Sequence, residues 1–399
     1  MKKIKRITDL EKKYLNEVID GQFNSANTYK MVIRMEQAFA KRFGIKNAIA
    51  MVNGTATLHA SLEAAEIRPG DEIICPPLTM SATALAILHA NAIPIFADVD
   101  KDTFLVTPET VEKVITKKTK AIIPVSLYGL SPNITGIMKL AKKYNLVVIE
   151  DNAQCFLGME NGKLTGTIGD MASYSFQSSK HITSGEGGIV ITNNDDYALK
   201  LRRYSGLGYA SIGIEKARIT KDDIQDPNYN RHISLGWNYR MSDLCGAVAL
   251  AQIERIDELV EMRILAAKKF DNVIKNADWL QPQFIPERFS HSYWTYAVKI
   301  IDNNIDWYKF RKKYIELGGD GIYSAWKLSY LEPAFINKTF LGREIFFDST
   351  VQYYKGLCPV AEELQPKLLQ FKTNYWNETD AVRQAEILEK TISFFNKNR

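Results

Sequence analysis

A lysine stands between two strand-like apolar runs in the stretch 173-SYSFQSSKHITSGEGGIVITNN-194. The first run, SYSFQ, ends in two serines and then Lys180; the second, IVIT, begins after Thr183-Ser184-Gly185-Glu186-Gly187-Gly188. That glycine density does not suit a helix interior, so the lysine falls on a tight turn. Lysine is rarely buried without a partner, and loss of water lowers its pKa. A neutral amine at ordinary pH is what Schiff-base chemistry with carbonyl compounds requires. A solvated loop lysine is the plain alternative, and Lys180 by itself does not separate the two.

Two further stretches change the balance. Asn53-Gly54-Thr55-Ala56-Thr57 joins a strand-like run to a helix-like one. Gly54 permits a tight turn, and Thr55 and Ala56 offer backbone N–H groups at a helix start, an arrangement suited to a phosphate. Alone it reads equally as a helix cap. Asp151 ends the apolar run VVIED, and Gln154 follows one turn later. An acid at the end of a buried strand needs a partner, either a helix N-terminus or a cationic ligand nitrogen. Ser173, Ser175, Ser178 and Ser179 add hydroxyl donors near Lys180. A phosphate cup, a carboxylate and a sheltered lysine, all at strand ends, match pyridoxal phosphate: the lysine forms the Schiff base, the acid keeps the pyridine nitrogen protonated, and the donors hold the phosphate. No GxxxxGK[ST] loop and no GxGxxG after a strand competes for the phosphate.

The elements that must position these residues alternate along the chain. AIAMV (48–52), DEIICPP (71–77), IPIFADVD (93–100), AIIPVSLYG (121–129) and VVIED (147–151) are strand-like and separated by single helical patterns. Unalternated apolar strands spaced by helices predict an α/β fold with a mainly parallel sheet covered on both faces. Ligands in such sheets collect at the carboxyl ends of the strands. Residues 1–45 read as polar helices, 205–232 as a long irregular loop, and 241–275 as a long helix with an apolar stripe. The organisation predicted is a large cofactor-binding domain over 1–240, a linking helix over 241–275 and a small α+β domain over 276–399.

Composition narrows the class. The 399 residues are 46% hydrophobic and 24% charged, ordinary for a globular enzyme, with a net charge of +5. No basic run with interleaved aromatics supports nucleic-acid binding. The basic start MKKIKRITDLEKKY is not followed by an apolar core of a signal peptide, and no run reaches membrane-span length, so a cytoplasmic protein is expected. Cys75, Cys155, Cys245 and Cys358 are far apart, suggesting reduced thiols rather than disulfides or a metal site.

The chain resembles the DegT/StrS-type, vitamin B6-dependent sugar aminotransferases of fold type I. The resemblance rests on NGTATLHASLEAAEIRPGDEIICPP, IPIFADVD, VVIEDNAQCFLG, SYSFQSSKHITSGEGGIVITNN and LGWNYRMSDLCGAVALAQIERID. It implies a seven-stranded, mainly parallel but mixed sheet in the large domain. It implies that Lys180 carries the cofactor and shuttles the proton, that Asp151 pairs with the pyridine nitrogen, and that Gln154 lies beside the ring. Gly54, Thr55 and Ala56 with Ser175 are implied for the phosphate, and Asn238 is implied to reach it from a neighbouring subunit, hence a homodimer with the site at the interface. Met80 stands where the family usually has an aromatic ring over the cofactor, and Gln177 replaces a frequent histidine. Lys180 sets the chain apart from the branch in which histidine replaces the lysine, although the C-terminal GLCPVAEELQPKLLQFKTNYW is closer to that branch and to transaminases of eight-carbon sugars.

The function this implies is transfer of an amino group from glutamate, through the pyridoxamine form, to a keto-deoxysugar. The acceptor is either nucleotide-linked or an eight-carbon keto-deoxy sugar acid, on the way to surface polysaccharide or lipopolysaccharide. The alternative is a non-catalytic protein that keeps the fold and binds cofactor or sugar for regulation. The aromatic stretches 289-FSHSYWTY-296 and 323-YSAWKLSY-330 read first as core packing of the small domain and second as sugar or base stacking.

Overall fold

The computed structural model describes residues 1–23, 30–214, 219, 225–348 and 350–398. Its main feature is a seven-stranded sheet built from β1 (Asn47–Met51), β2 (Glu72–Cys75), β3 (Ile93–Phe96), β4 (Thr119–Ile122), β5 (Val147–Asp151), β8 (Met171–Ser175) and β9 (Gly188–Thr192). The spatial order is β1-β9-β8-β5-β4-β2-β3. β8, β5, β4, β2 and β3 run parallel, while β9 is antiparallel to both neighbours, β1 and β8. This is the mixed, mainly parallel sheet expected of fold type I. A short strand β6 (Met159–Glu160) pairs with β7 (Lys163–Leu164) on one side and β11 (Phe289–Ser290) on the other.

The apolar strands are unalternated because each face meets a different core. Along β1, Ile49 and Met51 join one cluster, and Ala48 and Ala50 the other. Val190 of β9 and Met171 of β8 face the first; Ile189, Ile191, Ala172 and Tyr174 face the second. Covering both faces takes a sheet out of water without leaving a polar side to pattern. The second core is closed by the helices Asp9–Asp20 and Lys30–Phe43, the Asp243–Glu254 helix and a nest of Phe39, Phe43, Phe156 and Tyr174 rings. Thr8 starts the first helix with a capping box: its hydroxyl accepts from Leu10 N, and Glu11 accepts from Thr8 N.

A second, antiparallel sheet follows β10 (Leu280–Pro282), β12 (Thr295–Ile300), β14 (Leu368–Lys372) and β13 (Tyr323–Ser324) in that spatial order. The helices Ile256–Ile274 and Glu378–Asn398 cover it through Phe270, Ile274, Leu388, Ile392 and Phe395.

Several predicted elements are shorter or broken, each for a local reason. The pattern over 241–275 is two helices, divided at Arg255 (φ −115°, ψ 11°), whose guanidinium reaches Arg6 O and Glu11 Oε1 at 3.1 Å each. The run 121–129 is regular strand only to Ile122; it meets β5 again where Val125 bridges Asp151, and ends in a turn over Leu127–Gly129. The run 93–100 is strand only to Phe96; Asp98 instead caps the Pro359–Leu364 helix through the N–H groups of Val360 and Ala361, both at 2.9 Å. Of the 205–232 loop, residues 215–218 and 220–224 lie outside the described residues; the flanks join through Tyr229 Oη to Ser211 Oγ at 2.7 Å.

Glu36 ties the edge strand β1 to the rest. Its carboxylate takes both terminal nitrogens of Arg202 at 2.7 Å and the Ala50 N–H at 2.8 Å, with both side chains almost wholly buried. Glu36→Ala removes three charge-assisted bonds from buried partners. The expected loss is about 3 kcal/mol of unfolding free energy, read as a lower urea midpoint at unchanged slope.

Candidate active site

The carboxyl edge of the sheet carries the residues singled out in the sequence. β5 ends in Asp151, β8 ends in Ser175, and the helix after β1 starts at Gly54. Gly54, Thr55, Asp151, Gln154, Ser175 and Lys180 line one cavity of about 440 Å³, with Met80 also on its wall. Two glycines allow this convergence. A Cβ on Gly54 would fall 2.9 Å from Ser175 Cβ, and one on Gly188 would fall 2.7 Å from the Asn53 carbonyl carbon. The helix start, the end of β8 and the start of β9 can meet only because those side chains are missing.

Lys180 is placed by a tight turn. Its N–H donates to Gln177 O at 2.9 Å, and the Gln177 side chain accepts from Ser179 N at 2.8 Å and from its hydroxyl at 2.7 Å. The residue is 8% exposed, and no ion pair holds its amine among the described residues. Nζ lies 4.8 Å from the centre of the Trp294 ring, whose Nε1 donates to Ser179 O at 3.0 Å. Burial brings the Lys180 pKa down to about 8; the nearby charges of Asp151 and Glu186 oppose the fall and that of Arg263 adds to it.

Asp151 is buried and hydrogen-bonded on both oxygens. Thr83 Oγ1 donates to Oδ2 at 2.9 Å and Ala153 N to Oδ1 at 3.2 Å. Burial pushes its pKa up, against those bonds and the Lys180 charge. A carboxylate in that state gains from a cation placed beside it in the cavity.

The remaining candidates divide. Gln154 is buried, and its Oε1 accepts from Tyr128 N at 2.8 Å. Ala56 is buried off the cavity wall, and its N–H is spent on the Asn53 side chain at 2.8 Å. Gly54 and Thr55 are therefore the members of the predicted cup that face the cavity. Met80 is 47% exposed, and its sulfur accepts from Ala82 N at 3.0 Å. Asn238 is exposed, away from the cavity of its own chain, and accepts from Arg240 Nε at 3.0 Å.

Sequence reasoning missed Thr83, Glu186, Trp294 and Trp326 as wall residues of this cavity. Trp294 and Trp326 lie in the two aromatic stretches read first as packing, and their rings stand 6.1 Å apart between this cavity and a neighbouring one. Their convergence is not visible in a linear pattern, because Trp294 precedes β12 and Trp326 follows β13.

The chain is similar to known proteins in sequence and in fold. The model of the DegT/DnrJ/EryC1/StrS aminotransferase family matches residues 5–365. GDP-perosamine synthase of Caulobacter vibrioides is 35% identical over 297 residues, 74% of this chain and 76% of that protein. The X-ray structure of the aminotransferase from Psychrobacter cryohalolentis superposes with a TM-score of 0.86 at 27% identity, covering 98% of both chains. NtdA of Bacillus subtilis, solved with bound cofactor PMP, shares the fold at a TM-score of 0.78 and 22% identity, over 98% of this chain and 86% of that one.

The buried amine has a consequence for stability. A lysine whose folded pKa is about 8 against an ordinary 10.5 penalises the folded state while charged, below about pH 8. The penalty fades as pH rises from the folded to the unfolded value. Without added cofactor, Lys180→Met is expected to exceed the parent protein in stability at pH 7 by on the order of 1 kcal/mol, with the gap closing between pH 8 and 10.5. Paired denaturant titrations at pH 7 and pH 10 read the difference.

Proposed function

The chain belongs to the DegT/DnrJ/EryC1/StrS aminotransferase family, and we propose that within it the protein uses pyridoxal phosphate to move an amino group from glutamate to a nucleotide-linked keto-deoxysugar. The observation that carries the reading is the buried Lys180 amine, held without an ion pair among the described residues, in one cavity with the Asp151 carboxylate and the helix start at Gly54 and Thr55.

The residues fit the cofactor. The N–H groups of Gly54 and Thr55 and the Ser175 hydroxyl would take the phosphate. Asp151, oriented by Thr83 Oγ1, takes the ring N–H. When bound, pyridoxal phosphate supplies a protonated ring that draws electrons away from a breaking C–H bond. Asp151 keeps that ring proton in place, because the proton gives the buried carboxylate its counter-charge. Lys180 Nζ would act as base toward the proton on the amino-bearing carbon and then, as acid, deliver it elsewhere in the reacting group. Its pKa of about 8 suits both directions near neutral pH. Trp294 shields Nζ from water on one side. Gln154 and Met80, on the cavity wall, would flank the cofactor.

The likeness to GDP-perosamine synthase favours a nucleotide-linked acceptor over a free eight-carbon sugar acid. It favours a place in the making of sugar polymers at the cell surface. Asn238, exposed outside its own chain's cavity, is read as serving the phosphate of a second copy in a homodimer.

Absorbance tests the cofactor and donor together. Protein mixed with pyridoxal phosphate is expected to gain a near-visible band that glutamate discharges and a nucleotide-linked keto-deoxysugar restores, the sugar gaining an amino group by mass spectrometry. Lys180→Ala should abolish turnover with circular dichroism unchanged, and Asp151→Asn should lower kcat about a hundredfold or more. Absence of the band after soaking with cofactor, or full turnover in Lys180→Ala, overturns the reading.

A further inference from the structure

Arg263 lies on the Ile256–Ile274 helix, 1% exposed, on the same stripe as Leu259, Ala266, Ala267 and Phe270. Its Nη2 donates to the main-chain carbonyls of Ser179 and Lys180, both at 2.9 Å. Its Nη1 donates to the carbonyl of Trp294 at 2.7 Å and to Thr373 Oγ1 at 3.3 Å. No carboxylate pairs with it among the described residues. A second guanidinium holds the same turn: Arg6 Nη2 donates to Ser178 O at 2.7 Å and to Lys180 O at 3.0 Å. The indole of Trp376 lies 5.4 Å from one guanidinium and 6.0 Å from the other.

Stability does not account for this arrangement. A cation buried among carbonyls and apolar rings, with no counter-ion and with Nε lacking a partner, costs more than an apolar side chain of like volume. What the arrangement does is geometric. The carbonyl of Lys180 is taken by two guanidiniums, so its peptide plane cannot rotate without breaking both bonds. The guanidinium that fixes Lys180 also fixes the backbone of Trp294, the residue whose ring covers Nζ.

We propose that Arg263 is a positioning residue for the chemistry at Lys180, tying the lysine turn and Trp294 to one rigid fork so that the amine and the indole above it keep one mutual geometry. The inference rests on the reading of Lys180 as the cofactor-binding lysine. Charge acts in the same direction as geometry. Lys180 is faced by Asp151 from β5, by Glu186 from the glycine-rich loop and by Arg263 from the helix, and only Arg263 favours the neutral amine. Burial and Arg6 pull Arg263 itself down to about 9, so it remains a cation at neutral pH.

Capture of pyridoxal phosphate by Lys180, trapped with borohydride, located by peptide mapping and followed against pH, tests the proposal without turnover. In the parent protein the capture midpoint is expected near pH 8. Arg263→Gln should move the midpoint up by about one unit and slow capture about tenfold or more. Arg263→Lys keeps the charge but not the fork; it should slow capture and leave the midpoint in place. A merely structural role would lower the melting temperature of both without moving the midpoint. Folded Arg263→Gln and Arg263→Lys proteins that capture at the parental rate and midpoint overturn the proposal. If Arg263→Gln does not fold, Arg263→Lys and Arg6→Gln decide on rate alone: slowed capture supports the proposal and parental rates overturn it. A parent protein that captures nothing at Lys180 overturns both this proposal and the reading beneath it.

Discussion

Keeping an amine out of water with no carboxylate paired to it among the described residues is the constraint on which the site depends. Lys180 and Asp151 are both buried at the same sheet edge, and burial moves the two pKa values toward each other, the amine down and the acid up. Two groups that dislike their charged forms would ordinarily be relieved by a direct salt bridge, and here no such bridge forms. Each is left with an unmet preference. A ligand that offers a carbonyl carbon to the amine and a cationic N–H to the acid relieves both at once, while a simple anion or cation relieves one only. Selectivity for a ligand of that kind would follow from the separation of the two residues as much as from their identity.

That separation is set by the sheet. Asp151 and Ser175 end adjacent parallel strands, and Ser173 sits opposite Asp151 in the ladder. The sequence already showed that these segments were buried strands, because runs such as VVIED and AIAMV lack polar alternation. The structure supplies the reason residue by residue, with neighbours along β1 and β9 committed to opposite cores. What sequence periodicity did not carry was where each strand stops. Asp98 is drawn off to cap a helix more than 250 residues later, and Arg255 interrupts a continuous helical pattern by reaching for the N-terminal segment. Each stop depends on a partner distant in the chain, and local pattern holds no record of such partners.

The site divides along the same line. Lys180, Asp151, Gly54, Thr55, Ser175 and Gln154 were legible because a parallel sheet brings strand ends together, so linear motifs there predict proximity. Ala56 was misjudged as a free donor because the competing acceptor, Asn53, is its own helix cap. Thr83 and Arg6 carried no local sign, since each meets the cavity or the lysine turn from another part of the chain, and the aromatic stretches of Trp294 and Trp326 read first as packing and only second as stacking. Arg263 did carry one. It falls in an apolar stripe at helical spacing, and a lone arginine on a buried stripe asks what takes its donors. The answer, the carbonyls of the lysine turn, is long-range and needed coordinates.

The antiparallel strand β9 is the topological reason that a lysine is at this edge at all. In a wholly parallel sheet the chain would leave the carboxyl end of β8 through a helix and return from the other side. Because β9 reverses, residues 176–187 must turn back within the carboxyl edge itself. A hairpin of that length cannot lie flat, and its middle, at Lys180, folds over the mouth of the sheet, where Arg263 and Arg6 hold its carbonyls. The same reversal brings Gly188 against Asn53, and so sets the helix start at Gly54 beside the turn. One inverted strand therefore fixes the lysine and the phosphate cup together, and a change that shifted β9 in its register would misplace both without touching either.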